Sequence, residues 1–181
     1  MNKIEKGMLL IAEPFLKDQN FQRSVILICD HQQSGTFGIT INRQTDEVVS
    51  DYIEELSFCS LPIHDGGPVS RDHIHFLHQY PERITGGQEI ADGIYWGGDF
   101  NEMTTFLKTG GAKKIRFYLG YAGWGDQQLE SEMKDKSWLT IAASSSLVLK
   151  TSTDQIWKEA VKSLGDEYLP IINYPLDPSY N

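Results

Sequence analysis

The sequence predicts an α+β domain built on a mixed, strongly curved β-sheet, and three observations carry that prediction. Short apolar runs rich in Val, Ile and Leu dominate the first third of the chain, as strands do. Strand-like segments outnumber helical ones and do not alternate with them one for one, so the regular order of a doubly wound sheet is missing. No repeat, low-complexity tract or long linker interrupts the 181 residues, so one domain is expected over 1–181, with a core at 7–165 and a proline-bearing tail at 166–181 wrapping over the surface.

Taken in order, Gly7 to Ala12, Ser24 to Cys29 and Thr36 to Asn42 read as strands, the last two flanking a hairpin loop at Asp30 to Gly35. Their continuous apolar character calls for cover on both faces. Val48, Val49, Tyr52, Ile53 and Leu56 form one stripe at helical spacing, predicting an amphipathic helix from about Asp46. His73 to His78 and Ile94 to Gly97 read as further strands. Asp99, with Glu102 three residues on, caps a helix that turns Phe100, Met103, Phe106 and Leu107 inward and stops at Gly110. Lys114 to Leu119 reads as a strand entering a glycine-rich corner, followed by a short helix over Gln127 to Met133 with Leu129 and Met133 on one face. Trp138 to Ala143 and Leu147 to Lys150 are strand-like. A last helix has a capping box at Ser152 and Gln155, an apolar face of Ile156, Trp157, Ala160, Val161 and Leu164, and a stop at Gly165.

A formal net charge of −9 and a pI near 4.9 disfavour non-specific attachment to nucleic acid or anionic lipid. The apolar run ending at Ala12 is closed by Glu13 and Pro14, too short for a signal peptide or a membrane span. Cys29 and Cys59 show no C-x-x-C spacing, so neither a zinc site nor a disulfide framework is signalled, and a reducing cytoplasm is the expected setting.

Two glycine clusters invite a functional reading. Gly120, Tyr121, Gly123, Trp124 and Gly125 lead from a strand to a helix start, a geometry that serves either a sharp corner or an anion site. Phosphate-loop lysine and G-x-G-x-x-G spacing are absent and Glu130 and Glu132 are close by, so the corner is favoured. Gly66, Gly67 and Pro68 suit a tight turn whose N–H groups can form a small anion-binding concavity. His73 and His75 share one strand face while His78 takes the other, which argues against a three-histidine metal site. Cys29 follows a run of aliphatic residues and is expected to be buried and inert, and Ser144 to Ser146 lacks the flanking glycines of a nucleophile elbow and reads as a turn. Lys108, Lys113, Lys114 and Arg116 cluster into a patch of a kind that could meet a phosphate, but a solvated helix end and strand entry is the favoured reading.

The linked stretches GMLLIAEPFLKDQNFQRSVILICDH, GTFGITINR, GGPV, IYWGGDF and GYAGW with QLE, in this order from Gly7 to about Gly165, resemble the bacterial AlgH/YqgE family. One departure is local: where the family usually carries Pro-Gly after Gly-Trp-x, this chain has Asp126 and Gln127. The resemblance implies a barrel-like mixed sheet and no established catalytic residues. Members commonly carry the label of transcriptional regulators of exopolysaccharide production, but this chain shows no helix-turn-helix signature and no basic stripe, so direct DNA binding is disfavoured. The first reading is a non-enzymatic cytoplasmic binding or regulatory protein that meets another protein through Gly66, Gly67, Pro68, Tyr121, Gly123, Trp124, Gln128 and Glu130. The alternative is a small-molecule or phosphometabolite enzyme whose glycine turns hold the anion while His31, His73 or His75 acts as acid or base. No metal, cofactor or membrane partner is expected, and the sequence specifies no oligomeric state.

Overall fold

The computed structural model describes residues 3–16, 18, 20–110 and 114–174. Ten strands make the framework: β1 (Met8–Ala12), β2 (Val25–Gln32), β3 (Gly35–Thr40), β4 (Gln44–Val48), β5 (Pro62–Asp65), β6 (Val69–His78), β7 (Gln88–Ala91), β8 (Ile94–Trp96), β9 (Ile115–Trp124) and β10 (Trp138–Ala142). Four helices accompany them: α1 (Phe100–Lys108), α2 (Gln128–Lys134), α3 (Ser145–Leu149) and α4 (Ile156–Leu164). A single path runs β10-β1-β2-β3-β9-β6-β8-β7, antiparallel throughout. β5 departs from it, lying parallel to β9 and carrying β4 on its other side.

The sheet curls until its two ends nearly meet, forming a half-barrel. Lys6 donates to the carbonyl of Glu89 at 2.9 Å, and the amide of Ser145 to Asp92 Oδ2 at 2.7 Å, tying the β7 end to the β1–β10 end. Leu9, Leu27, Ile39, Leu77, Ile90 and Tyr118 fill the space inside the curl, which α3 and α4 close. On the outside, α2 covers one half through Ile26, Ala122, Trp124, Leu129 and Trp138. The other half is covered by α1, where Met103 and Leu107 pack on Ile63, Phe117 and Leu119. β1 and most of β2 are therefore buried on both faces, as their unbroken apolar runs require.

Several segments depart from the expectations. The stripe at 48–56 is β4 followed by two 3₁₀ turns, Val49–Asp51 and Glu54–Leu56. Thr45 donates to the carbonyl of Ile63 at 2.6 Å and holds the segment against β5, while β-branched Val48 and Val49 lean toward extended backbone. Leu147 to Lys150 belongs to a short helix, since Ser144 accepts from the amide of Leu147 at 3.2 Å and caps α3. α4 begins at Ile156 without a side-chain cap, because the Gln155 side chain donates to Asp154. Asp99 caps α1 by accepting from Glu102 N at 2.9 Å, as expected. Asp166–Asn173 is a 3₁₀ segment whose Tyr168, Ile171 and Ile172 pack on the interior core; Lys113 and residues 175–181 of the expected tail lie outside the described residues.

Candidate functional site

The two glycine clusters meet in space. β9 has different neighbours along its length on one side: β5 beside Phe117 to Leu119, and β3 beside Ala122 to Trp124. The junction lies at Gly66 and Gly67, where the amide of Gly66 donates to the carbonyl of Leu119 and its carbonyl accepts from Thr40, both at 2.9 Å. Backbone lies on backbone here. A Cβ on Gly66 would fall 2.3 Å from the Gly120 carbonyl oxygen, and one on Gly67 would fall 2.2 Å from the carbonyl carbon of Tyr121. The expected corner at Gly120 to Trp124 is thus a continuous strand, with one bulge-like residue, Gly120, at φ +69°. The chain turns later, at Gly125 to Gln127. Gly67 N donates to Asp65 Oδ1 at 3.2 Å, so the amides of Gly66 and Gly67 are both engaged and offer nothing to an anion.

Above this junction the half-barrel opens onto an aromatic plate. Phe37 on β3 lies 4.9 Å from Tyr121, 4.8 Å from Trp96 and 5.3 Å from His75, centroid to centroid. These residues follow the inward parity of Ile39, Leu77 and Tyr118, but sit at the rim, where the core ends and solvent begins; all four are half-buried. Gly123 is needed for this arrangement, because a Cβ there would fall 3.0 Å from the Tyr121 ring. A concavity of about 490 Å³ borders the plate, lined by Asp30, Thr36, Phe37, Val69, Tyr121 and Gly123 among others. Trp96 Nε1 donates to His75 Nδ1 at 3.4 Å, which assigns the ring proton to Nε2, and Nε2 is buried with no partner among the described residues. Burial, and then the neighbouring His73, push the His75 pKa down, keeping the imidazole neutral at neutral pH.

The remaining expected residues stand behind the plate. Trp124 is buried and donates to Glu132 Oε2 at 3.0 Å, and Trp138 donates to the same oxygen at 2.8 Å. Gln128 completes this clamp, giving its amide to Glu132 Oε1 at 3.0 Å and accepting from Gly125 N at 3.1 Å. Glu132, read from sequence only as a charge hostile to phosphate, thus anchors α2 to the outer face. Glu130 stands 3.8 Å from His31 Nε2, whose Nδ1 meets Thr36 Oγ1 at 2.8 Å. Pro68 is exposed beside the junction. The structure therefore sets Gly66 and Gly67 against the middle of β9, Tyr121, Gly123 and Trp124 at its end, and Gln128 and Glu130 on α2 beyond it, with Tyr121 and Gly123 facing the concavity and Trp124 and Gln128 turned to the α2 clamp.

Other candidates are dispersed. His73 is exposed and bonds Asp72 at 3.0 Å, while His78 is buried against the carbonyl of Gly97 at 2.9 Å. Among the described residues no cluster of three metal-ligating side chains occurs. Cys29 and Cys59 are both free and buried, and burial raises the Cys29 thiol pKa far above its ordinary value. Lys108 lies over the Phe58 ring at 5.5 Å, apart from Lys114 and Arg116, which line a different cavity. Among the described residues no helix is long and apolar enough to cross a membrane.

A family model described as AlgH-like matches residues 9–169. A UPF0301 protein of Chlorobium limicola is 37% identical over 182 residues, covering 99% of this chain and 97% of its own. A UPF0301 protein of Bacteroides thetaiotaomicron is 36% identical over 179 residues, covering 97% and 91%. Among solved structures, a crystal structure of a Corynebacterium diphtheriae protein shares the fold with TM-score 0.80 at 23% identity, covering 96% of this chain and 94% of that one. The solution structure of AlgH from Pseudomonas aeruginosa matches with TM-score 0.75 at 26% identity, covering 97% and 98%.

Proposed function

The chain belongs to the AlgH-like family, and from that premise and the geometry of its open rim we propose that it is a non-enzymatic binding protein that engages another polypeptide at the Phe37–His75–Trp96–Tyr121 plate. The plate itself carries the reading: four rings held half-exposed, with an unpaired imidazole N–H among them. Aromatic side chains of this kind anchor protein interfaces, since they bury large area at low entropic cost and seek one polar contact. An aliphatic side chain of the partner fits the concavity beside Phe37 and Tyr121. The inert Cys29 thiol and the occupied glycine amides support binding over catalysis. Any regulatory effect on transcription then runs through protein contact, consistent with a net charge of −9.

The test is copurification from native lysate with quantitative detection, comparing wild type, Tyr121→Ala and Phe58→Ala. Phe58 is an exposed aromatic on another surface. A partner lost with Tyr121→Ala and kept with Phe58→Ala is the expected result, with both variants folded by circular dichroism. Partner sets that do not differ between the two variants would sink the assignment of this surface.

A further inference from the structure

We propose that a second cavity, at the opposite end of β9 from the aromatic plate, binds a small phosphorylated molecule. It has a volume of about 590 Å³ and lies where β5, the start of β9 and the α3–α4 connection converge. That volume falls within the range of ordinary small-molecule sites. Lys114, Arg116 and Lys150 line it together with His64, Ser152 and Thr153, and among the described residues no Asp or Glu lines it. Three cations on one cavity are conspicuous in a chain of net charge −9, and the acid that feels one of them, Asp92 near Lys150, is exposed and accepts from the Ser145 amide. Among the described residues none of the three takes part in an ion pair. Asp154, next in sequence, is exposed and accepts from Gln155 at 2.6 Å.

Arg116 is the centre of the argument. One arm of its guanidinium, Nη2, donates to the carbonyl of Thr151, and the half-buried side chain also meets the Tyr118 hydroxyl, so among the described residues no carboxylate balances its charge. A half-buried cation with only neutral partners favours an oxyanion, the acceptor that best matches the guanidinium fork. His64, 3% exposed, is a neutral part of the wall, its charged form disfavoured by burial. Its Nδ1 donates to the carbonyl of Phe117 at 3.1 Å, leaving Nε2 to accept from Thr153 Oγ1 at 3.2 Å, an arrangement that fixes the hydroxyl at the cavity wall. Leu61, Pro62, Ile115 and Leu149 supply an apolar wall, which suits an ester group on the phosphate better than phosphate alone. The site is independent of the aromatic plate: it shares no lining residue with that concavity.

The experiment is titration of the ¹⁵N-labelled full chain, followed by amide shifts, with inorganic phosphate, glucose 6-phosphate and adenosine 5′-monophosphate, with glucose and adenosine as neutral counterparts, and with a single-stranded DNA oligonucleotide as the polymeric comparison. The expected result is saturable shifts at His64, Lys114, Arg116 and Lys150 to Thr153 for the phosphate esters only, with free phosphate weaker. Lys114→Gln combined with Lys150→Gln, both partly or fully exposed, should weaken ester binding by roughly tenfold or more, whereas Lys108→Gln should leave it unchanged. Arg116→Lys, which keeps the charge but not the fork, should also weaken it. Free phosphate binding as well as the esters keeps the anion site but assigns it to phosphate itself. No saturable shift by about 10 mM ligand, or shifts unaltered in the double variant, would overturn the proposal, as would a preference for single-stranded DNA over the esters at these amides.

Discussion

Replacing Gly67 by Ala tests whether the glycine pairs exist for close backbone approach. The new Cβ would lie 2.2 Å, 2.3 Å and 2.5 Å from the carbonyl carbon and oxygen of Tyr121 and the nitrogen of Ala122, all main-chain atoms that no rotamer change can move. Relief requires the β5–β6 connection to lift off β9. That motion strains the two hydrogen bonds of Gly66, worth about 1 kcal/mol each. Forcing a non-glycine residue to φ +145° adds about 1–3 kcal/mol. The sum is about 3–5 kcal/mol, a large part of the roughly 5–15 kcal/mol that stabilises a domain. The assay is urea unfolding monitored by circular dichroism, with Gly110→Ala as control. Gly110 has φ +82° but, among the described residues, nothing within 4 Å of its added Cβ, so only about 1 kcal/mol of conformational cost is expected there. In thermal melts the Gly67 variant should lose about 6–20 °C for a chain of this size. If Gly67→Ala costs no more than Gly110→Ala, positive φ alone explains these glycines and the contact argument fails.

Three further outcomes are expected. Gln127 stands at φ +56°, a conformation glycine adopts without strain, so Gln127→Gly should raise stability by about 1 kcal/mol in the same urea assay; a loss would refute the strain argument. Glu132→Gln replaces a carboxylate that receives two indole N–H groups and one amide, and should cost about 2–3 kcal/mol and shift the tryptophan fluorescence; an unchanged spectrum would contradict the clamp. His64, His75 and His78 all have pKa values lowered by burial, so below the unfolded value near 6.5 the unfolded chain binds more protons than the native one. Stability should therefore be full above that value and fall as pH drops from about 6.5, by at most about 1.4 kcal/mol per histidine per pH unit, and a flat urea midpoint between pH 7.5 and 5.5 would refute it.

What the sequence made legible was local. β1, β2, β3, α1 and α4 were set by apolar spacing and punctuation, because Gly7 to Ala12 and the stripe from Ile156 to Leu164 each match only one period. The stripe at Val48 to Leu56 matched a helical period yet formed β4 and 3₁₀ turns, since its pairing to β5 is a tertiary contact no window contains. Leu147 to Lys150 looked like a strand because four residues carry no period, and only the cap on Ser144 decides it. At the candidate site the resemblance and the glycines pointed to the part of β9 that borders the concavity, but Phe37, His75 and Trp96 come from three other strands and had no signal of their own beyond His75 as a base. The phosphate cavity drew from 61–64, 114–116 and 149–153, so only the Lys114–Arg116 part was visible beforehand.

The junction also explains why glycine-rich segments here are poor guides to chemistry. A strand flanked on one side by β3 at one end and β5 at the other must pass a point where two chains leave its edge in different directions. Side chains at that point would wedge the sheet apart, so Gly66, Gly67 and Gly120 are the residues that let the backbones touch. The motif thus records a constraint of sheet topology. What it makes available is position: with the edge closed by backbone alone, Tyr121 and Phe37 stay at the rim instead of filling a gap beneath it, and Gly123 leaves the Tyr121 ring room to lie flat. A family member could therefore keep every one of these glycines while changing its partner, by altering only the rings at 37, 75, 96 and 121. On the proposed reading, recognition and fold rest on different residues around one junction, and substitutions at the rings should change binding without the loss of stability that Gly67→Ala brings.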